Sequence, residues 1–307
     1  MVSSKNFPPG TNLTGYQRVV WRVKTNKEGG GTVGAVLDDI VIRLDKYSDS
    51  AALDAQEVMA CVMKRSRSWI LAHPEATLTA KPAAVLETLV NRLEAGEPLP
   101  YVLGRRDFFG LDFEVTPDVL IPRPETELLV ERAMIWLKAH PDFRQAADVG
   151  TGSGCIGIAL AVNIPDLQIM ASDISPAALK IAQRNAVKNG VRQRMDFICC
   201  DLLPPETEYD LIVANLPYIP TKTLKKLPIH GREPTMALDG GPDGLQMIRG
   251  LLNAVPDRLV PGGLLLMEIE ASEGSAAISL ACDSFAEAEI HLHKDLAGHD
   301  RILEVQI

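Results

Sequence analysis

The segment Asn215-Leu216-Pro217-Tyr218 could hold one planar NH2 group for alkylation. It follows the apolar run Tyr209–Ala214, which predicts a strand. The side-chain oxygen of Asn215 and the carbonyl of Leu216 could accept both N–H bonds of an amide or exocyclic amine, and Tyr218 offers a flat surface. Such a clamp would aim the nitrogen lone pair at an electrophile. An ordinary turn at the strand end is the alternative, because Asn and Pro are common in loops.

A glycine-rich stretch, Asp148-Val-Gly-Thr-Gly-Ser-Gly154, lies between a short alanine-rich segment and the apolar residues 156–162. This order predicts a strand, a loop and a helix. Glycines suit a backbone that turns sharply and approaches a ligand closely. Residues 152–157 also match the dinucleotide fingerprint, so the pattern alone leaves open a nicotinamide cofactor or S-adenosylmethionine.

Two acidic residues follow the next two predicted strands. Asp173 ends the strand 167–173 and could accept hydrogen bonds from two ribose hydroxyls in either cofactor class. Asp201 follows a third strand, 195–200, and the segment that begins at Asn215 ends a fourth. A dehydrogenase needs no amine clamp at this place, so the combination favours S-adenosylmethionine.

These residues resemble the HemK/PrmC class of N5-glutamine methyltransferases, which modify class I peptide release factors. The likeness runs from about residue 53 to residue 307. Besides the glycine loop it rests on residues 104–115, 120–127 and 233–245, which a generic S-adenosylmethionine fold does not require. The resemblance implies an α/β fold of the class I methyltransferase type, Rossmann-like, with a mostly parallel seven-stranded sheet, a small N-terminal helical domain and a linking β-hairpin.

The resemblance also implies a cofactor site built from several segments. The glycine loop would hold the methionine part, Asp173 the ribose hydroxyls, and Asp201 with Leu202 the adenine edge. The hairpin and the segment 122–126 would cover the pocket, with Phe108 or Phe109 near the methyl donor. The predicted cofactor residues are Asp148, Gly150, Thr151, Gly152, Gly154, Asp173, Asp201, Leu202, Asn215, Phe108, Arg123, Glu125 and Thr126. The predicted catalytic residues are Asn215, Leu216, Pro217 and Tyr218.

The clamp departs from the family in one residue. The usual motif is Asn-Pro-Pro-Tyr, and Leu216 replaces the first proline. By resemblance this position contributes its backbone carbonyl, so we expect leucine to be tolerated. DNA amino-methyltransferases share the motif, which therefore identifies the acceptor atom and not the macromolecule. Transfer to that nitrogen would be a direct in-line displacement, which needs no activated water or covalent intermediate.

The chain is predicted to have four parts. Residues 1–35 form a flexible extension with a glycine-rich run, and residues 36–99 form a helical domain that by resemblance grips the protein substrate. Residues 100–123 form a β-hairpin linker, and residues 124–307 form the methyltransferase domain.

Strands and helices alternate from residue 145 onward, which predicts a parallel sheet covered on both faces. A helix begins at Ser175-Pro176 and ends at Gly190. Farther along, the pattern predicts a helix over 243–259 and a strand over 263–269. An antiparallel pair over about 288–293 and 301–305 closes the sheet.

Several residues have plain structural interpretations. Trp69 lies on the apolar face of a predicted helix, which favours core packing over contact with a partner. Arg123 and Glu125 could form an ordinary ion pair at a turn, and the hairpin could be purely structural. His291 and His293 alternate along a late strand, which explains their spacing better than a metal site does.

Composition limits the class of partner. The chain has 307 residues, a formal net charge of -9 and a sequence pI of about 5.2, which disfavour non-specific binding to nucleic acid. A protein substrate is therefore the better-supported partner. A basic patch after the clamp could meet an acidic or RNA-like surface, although a solvated loop explains it more simply. The patch consists of Lys222, Lys225, Lys226 and Arg232.

The five cysteines show no Cys-x-x-Cys or Cys/His metal spacing. We expect reduced thiols that lie mostly in the core of a cytosolic protein, without a metal. No apolar run approaches the length that spans a membrane, which favours a cytoplasmic location.

The sequence thus predicts S-adenosylmethionine-dependent methylation of the glutamine in the Gly-Gly-Gln loop of class I release factors. Three alternatives remain. The substrate could be a glutamine of a large-subunit ribosomal protein or the N6 atom of DNA adenine, or the fold could serve as a non-catalytic interaction module.

Overall fold

The computed structural model describes residues 31–205 and 207–307. The predicted extension, residues 1–35, falls largely on residues 1–30, which lie outside the described residues. The chain divides into two units, Met1–Glu94 and Ala95–Ile307.

The described part of the first unit is helical, as predicted. Thr32 caps the first helix by accepting a hydrogen bond from the Ala35 N–H, so the helical region begins slightly before the predicted boundary. Arg43 joins the first helix to the fourth through ion pairs with Glu87 and Glu94 at 2.8 and 3.0 Å. The helices are α1 Val33–Leu44, α2 Ala51–Met63, α3 Arg67–Ala72 and α4 Ala80–Glu94.

Two predictions about packing are wrong. Trp69 is only half-buried, and its ring contacts neighbouring polar side chains: it stacks on His73 at a centroid distance of 4.4 Å, and the guanidinium of Arg65 lies over it. The cysteines are free thiols but do not lie mostly in the core, since none of the five is fully buried. Those exposed are Cys61, Cys199 and Cys282, and those half-buried are Cys155 and Cys200.

The second unit contains a two-stranded hairpin and a seven-stranded sheet within the described residues. Its elements are α5 Leu99–Leu103, β1 Arg105–Phe108, β2 Leu111–Glu114, α6 Glu127–Ala139, β3 Gln145–Val149, α7 Cys155–Asn163, β4 Gln168–Asp173, α8 Pro176–Lys188, β5 Met195–Cys199, β6 Tyr209–Ala214, α9 Thr221–Leu224, α10 Gln246–Ala254, β7 Leu259–Glu268, α11 Gly274–Ser284, β8 Glu289–Lys294 and β9 Asp300–Gln306.

The large sheet has the strand order β5-β4-β3-β6-β7-β9-β8. The first five strands in this order run parallel, and β9 is antiparallel to both β7 and β8. The predicted parallel sheet and its closing antiparallel pair are therefore confirmed. The order reverses direction at β3, and ligands of open α/β sheets bind beyond the strand ends at such a point.

Alternation along the central strands divides the core between two faces of the sheet. Leu211 and Val213 of β6 belong to the cluster that includes residues of α6 and α7, whereas Ile212 and Ala214 belong to the cluster with α10 and α11. Successive side chains of a strand point to opposite faces, so a buried strand must be apolar at every position. This explains the apolar run 211–214 of β6.

The predicted helix over 243–259 is wrong in both limits. Gly244 adopts a φ of +85°, and the Asp243 carboxylate accepts a hydrogen bond from the Leu245 N–H at 3.1 Å, so a turn precedes α10. Pro256 lies in a short 3-10 turn that ends the helical segment. Strand β7 then begins at Leu259, before the predicted start at residue 263.

The hairpin turns at Phe109-Gly110, where both residues have positive φ, 51° and 71°. Two such residues make the type I′ turn that suits the twist of paired strands. The Phe109 N–H donates to the Glu127 carboxylate at 2.8 Å, which holds this turn against the first turn of α6.

Asn185 on α8 ties the hairpin to the glycine loop. Its side-chain amide is fully buried, accepts from the Glu114 N–H at 2.7 Å, and donates to the carbonyls of Glu114 and Ser153 at 3.0 and 2.9 Å. One side chain therefore satisfies three backbone groups from two separate segments.

Replacement of Asn185 by alanine should destabilise the protein. The change leaves buried backbone groups without partners, and we expect the free energy of unfolding to fall by about 2–4 kcal/mol. Urea unfolding followed by circular dichroism measures this. Asn189→Ala on the same helix removes a single hydrogen bond, to the Asn185 carbonyl, and serves as the control. Equal losses in the two variants would contradict the assigned role of Asn185.

Candidate functional site

A cavity of about 730 Å³ opens beyond the carboxyl ends of β3, β4 and β6. A cavity of this size matches those that take small ligands. Many of the predicted site residues line it, namely Gly150, Thr151, Gly152, Asp173, Asp201, Leu202, Asn215, Leu216, Pro217, Arg123 and Thr126. Five predicted residues lie outside its lining, namely Asp148, Gly154, Phe108, Glu125 and Tyr218.

The glycine loop joins the end of β3 to the start of α7. Gly150, Gly152 and Gly154 have φ values of 69°, 54° and 83°, which side chains with a Cβ rarely adopt. A Cβ at Gly152 would meet only the Gly150 carbonyl oxygen, at 3.9 Å, so the loop leaves open space there. The loop therefore forms a concave backbone surface before the N-terminus of α7.

Asp148 supports this loop from beneath. It is buried, and one carboxylate oxygen accepts from the Thr151 hydroxyl at 2.6 Å and the Gly157 N–H at 3.0 Å. Burial raises the pKa of Asp148 to about 6. Gly157 is required below the loop, because a Cβ there would lie 2.9 Å from the Asp148 carboxylate.

Asp173 lies at the end of β4 beside the loop. Its two oxygens accept from the backbone N–H groups of Gly152 and Ser175 at 2.9 and 2.8 Å, which fixes the carboxylate at the cavity wall. Burial raises its pKa. Asp201 and Leu202 follow β5 on the adjacent wall, and the Leu202 carbonyl accepts a hydrogen bond from the Ser172 hydroxyl at 2.5 Å.

The amide of Asn215 is held from behind. Its Nδ2 donates to the Thr126 hydroxyl and to the Glu268 carboxylate, each at 3.0 Å. Thr126 in turn donates to the same Glu268 oxygen at 2.6 Å. Because both bonds are made by the NH2 group, the Oδ1 atom at the other end of the planar amide takes part in neither of them. Asn215 can therefore act as an acceptor at the cavity.

Leu216 connects the clamp to the glycine loop. Its side chain is buried in the cluster that includes α10 and α11, and it also lines the cavity. A Cβ on Gly150 would lie 2.8 Å from the Leu216 Cδ2 atom. The leucine that replaces the usual proline thus fills space against the loop.

Tyr218 is turned away from the cavity lining. Its hydroxyl donates to the second oxygen of Glu268 at 3.4 Å, and burial raises its pKa. The segment 238–240 runs beside it, with the Ile219 N–H donating to the Leu238 carbonyl and the Gly240 N–H to the Ile219 carbonyl. A Cβ at Gly240 would lie 2.7 Å from the Tyr218 backbone, so a glycine is required there.

Arg123 does not form the turn ion pair with Glu125 that was the structural alternative to a place at the cofactor. Arg123 instead contacts Glu233 at 2.6 Å, and the other oxygen of Glu233 accepts from the Ile121 N–H at 3.1 Å. Glu233 is buried, so it is the better partner, whereas Glu125 is exposed. The pair joins the segment 121–126 to the segment that begins at residue 233.

Phe108 is buried and Phe109 is half-buried, and neither lines the cavity. Phe108 belongs to the hydrophobic core and contacts Phe113 edge-on at a centroid distance of 6.1 Å, and Phe109 packs against the same cluster. The structure therefore does not support a place near the methyl donor for either ring.

Sequence reasoning missed two carboxylates, Glu233 and Glu268. The signal for Glu268 was available, because it is the one charged residue at the end of the apolar run Leu264-Leu-Leu-Met-Glu268. Its strand lies next to the strand that ends before Asn215. A charged residue at such a position is costly to bury and therefore calls for a partner.

The described residues include no group of three or more His, Cys, Asp or Glu side chains that could hold a metal ion. In the same part of the chain, no helix has the length and apolar character needed to cross a membrane. The basic patch is exposed at Lys222, Lys225, Lys226 and Arg232.

Gly240→Ala should lower the free energy of unfolding by about 1–3 kcal/mol, because the methyl group overlaps the Tyr218 backbone and cannot be accommodated by a side-chain movement. Urea unfolding measures the loss. Gly250→Ala is the matched control, since its Cβ would meet only the Leu202 side chain, at 3.2 Å, and alanine favours the helix. A Gly240→Ala variant as stable as the wild-type protein would contradict this packing.

Two family models match the chain. The PrmC N-terminal domain matches residues 35–104, and the Methyltransferase small domain matches residues 125–228. The catalytic domain of hMettl16, solved in complex with the MAT2A 3'UTR hairpin 6, superposes with a TM-score of 0.51 at 14% identity. That comparison covers 76% of this chain and 84% of the other, and it shows the fold alone.

Curated relatives extend over most of the chain. The release factor glutamine methyltransferase of Moorella thermoacetica is 42% identical over 252 residues, which cover 81% of this chain and 89% of the relative. That of Bordetella pertussis is 40% identical over 254 residues, which cover 81% and 93%. The methyltransferase domain and these relatives identify S-adenosyl-L-methionine as the cofactor. The chain belongs to the family of release factor glutamine methyltransferases.

Proposed function

We propose that this chain transfers the methyl group of S-adenosylmethionine to the side-chain amide nitrogen of the glutamine in the Gly-Gly-Gln motif of class I peptide release factors. The observation that carries the proposal is the orientation of Asn215. Its NH2 group is bound to Thr126 and Glu268, so its oxygen remains as an acceptor at a cavity of suitable size.

The residues around the cavity fit the cofactor. The open backbone at Gly152 suits the methionine part, and the fixed carboxylate of Asp173 can accept hydrogen bonds from ribose hydroxyls. Asp201 and Leu202 would contact the adenine edge. When bound, S-adenosylmethionine supplies an electrophilic methyl group on a sulfonium centre.

The clamp residues orient the acceptor nitrogen. The Asn215 oxygen and the Leu216 carbonyl would accept the two N–H bonds of the glutamine amide, which directs the face of the nitrogen toward the donor. As the new nitrogen–carbon bond forms, the sulfur–carbon bond breaks and the nitrogen loses one proton. An amide nitrogen is a poor nucleophile, so the chemistry depends on this alignment.

The protein substrate is supported by the relatives, which are named for release factors and of which the chain covers about nine tenths. The net charge of -9 also favours a protein over nucleic acid. We assign the grip on this substrate to the helical unit, which matches the PrmC N-terminal domain. Because release factors act on ribosomes, the proposed location is the cytoplasm.

Asn215→Ala should lower kcat by about 100- to 1000-fold, because one of the two acceptors that align the amide is lost. The dissociation constant of the cofactor should change little. Transfer from labelled S-adenosylmethionine to a purified class I release factor, with mass spectrometry to locate the methyl group, measures this.

Asn253→Ala, an exposed asparagine on α10, is the control and should keep full activity. Parallel reactions contain a large-subunit ribosomal protein and duplex DNA. Labelling of either one in place of the release factor would overturn the substrate, and full activity of Asn215→Ala would overturn the clamp.

Asp173→Ala should raise the dissociation constant of the cofactor by about 10- to 100-fold, because charge-assisted hydrogen bonds contribute roughly 1.5–3 kcal/mol. Calorimetric titration with S-adenosylhomocysteine measures the change. Asp166→Ala, at an exposed position before β4, is the matched control. Unchanged affinity in Asp173→Ala would contradict the assignment.

A further inference from the structure

Glu268 is a carboxylate buried where water does not compensate its charge. It is 2% exposed at the end of β7, after a run of apolar residues. Burial raises its pKa, and the positive charge of Arg301 acts in the opposite direction. A buried carboxylate is costly unless donors surround it, so its partners show what it does.

Among the residues that the structure describes, the three side chains seen to donate to Glu268 belong to the clamp or contact it. One oxygen accepts from the Thr126 hydroxyl at 2.6 Å and from the Asn215 Nδ2 at 3.0 Å, and the other accepts from the Tyr218 hydroxyl at 3.4 Å. These contacts give each oxygen of the buried carboxylate at least one hydrogen-bond donor.

These contacts determine which end of the Asn215 amide faces the cavity. A carboxylate can only accept, so it must meet the NH2 end of the amide. A threonine hydroxyl alone could bind either end. Here the proton of the Thr126 hydroxyl is committed to Glu268, so its oxygen also accepts from Asn215. Glu268 thus disfavours the flipped amide in two ways. It accepts directly from the NH2 group of Asn215, and it holds the Thr126 hydroxyl so that this oxygen also accepts from that NH2 group.

We propose that Glu268 is the positioning residue that fixes the Asn215 amide with its oxygen toward the substrate. This inference rests on the proposed function, because the acceptor end is needed only if the substrate presents an NH2 group. A flipped Asn215 would present a donor to that group and could not hold it.

The test compares two variants of similar length. Glu268→Met removes every acceptor, so the amide can flip, and we expect kcat to fall about 10- to 100-fold while the cofactor dissociation constant stays within about threefold. Glu268→Gln keeps an oxygen that can accept from Asn215 and Thr126, and its kcat should stay within about fivefold of the wild-type value. Glu304→Gln on β9, which contacts Arg132 and His293, controls for the loss of a partly buried, hydrogen-bonded charge.

Three kinetic outcomes would overturn the proposal. They are an unchanged kcat in Glu268→Met, an equal loss in Glu268→Met and Glu268→Gln, and a further loss when Glu268→Met is added to Asn215→Ala. The last follows because a residue that acts only through Asn215 has nothing to position once that side chain is removed.

A spectroscopic measurement needs neither substrate nor turnover. The side-chain NH2 signal of Asn215, assigned by its absence in Asn215→Ala, should exchange with solvent far more slowly than that of exposed Asn253 in the wild-type protein. Equal exchange rates would overturn the proposal even if Glu268→Met does not fold. If the wild-type protein labels no release factor but Asn215 is protected, the proposed function fails, whereas the orientation of the Asn215 amide stands.

Discussion

The register of four parallel strands is the constraint on which the site depends. Val149 pairs with Ser172 on one side and with Ala214 on the other, and Ala214 pairs with Met267. The residues that directly follow these four paired residues therefore form one row along the edge of the sheet. The row consists of Gly150, Asp173, Asn215 and Glu268. A shift of one residue in any strand would send its member to the opposite face.

This row explains how a rigid scaffold can orient a weak nucleophile. Strands β3, β6 and β7 lie inside the sheet, with apolar side chains on both faces, so their ends cannot move independently. The glycine loop and the clamp directly follow two of these strands and Glu268 ends the third, so their positions are fixed by the sheet. Thr126, just before α6, completes the arrangement from outside the sheet.

Much of this arrangement could be predicted from the sequence, and the limits have physical causes. Apolar runs and glycines determine local structure, so the glycine loop, α8 and the strands apart from the start of β7 were predicted close to their observed places. Pairs between distant segments depend on tertiary packing, which is why the sequence offered Arg123 only its neighbour Glu125 as a partner and not Glu233, about a hundred residues farther along. The same limit hid Glu268, and resemblance misplaced Phe108, whose hairpin turns its ring into the core.

The contact between Leu216 and the glycine loop links two positions that are far apart in the chain. Leu216 occupies the space that a side chain on Gly150 would need, so the two positions share one small volume. Neither can be enlarged alone, and a smaller residue at position 216 would be the precondition for any residue other than glycine at position 150. A redesign of the clamp for a different substrate must therefore treat the clamp and the glycine loop as one unit. A larger side chain at position 216 would displace the loop, which is proposed to hold the methyl donor.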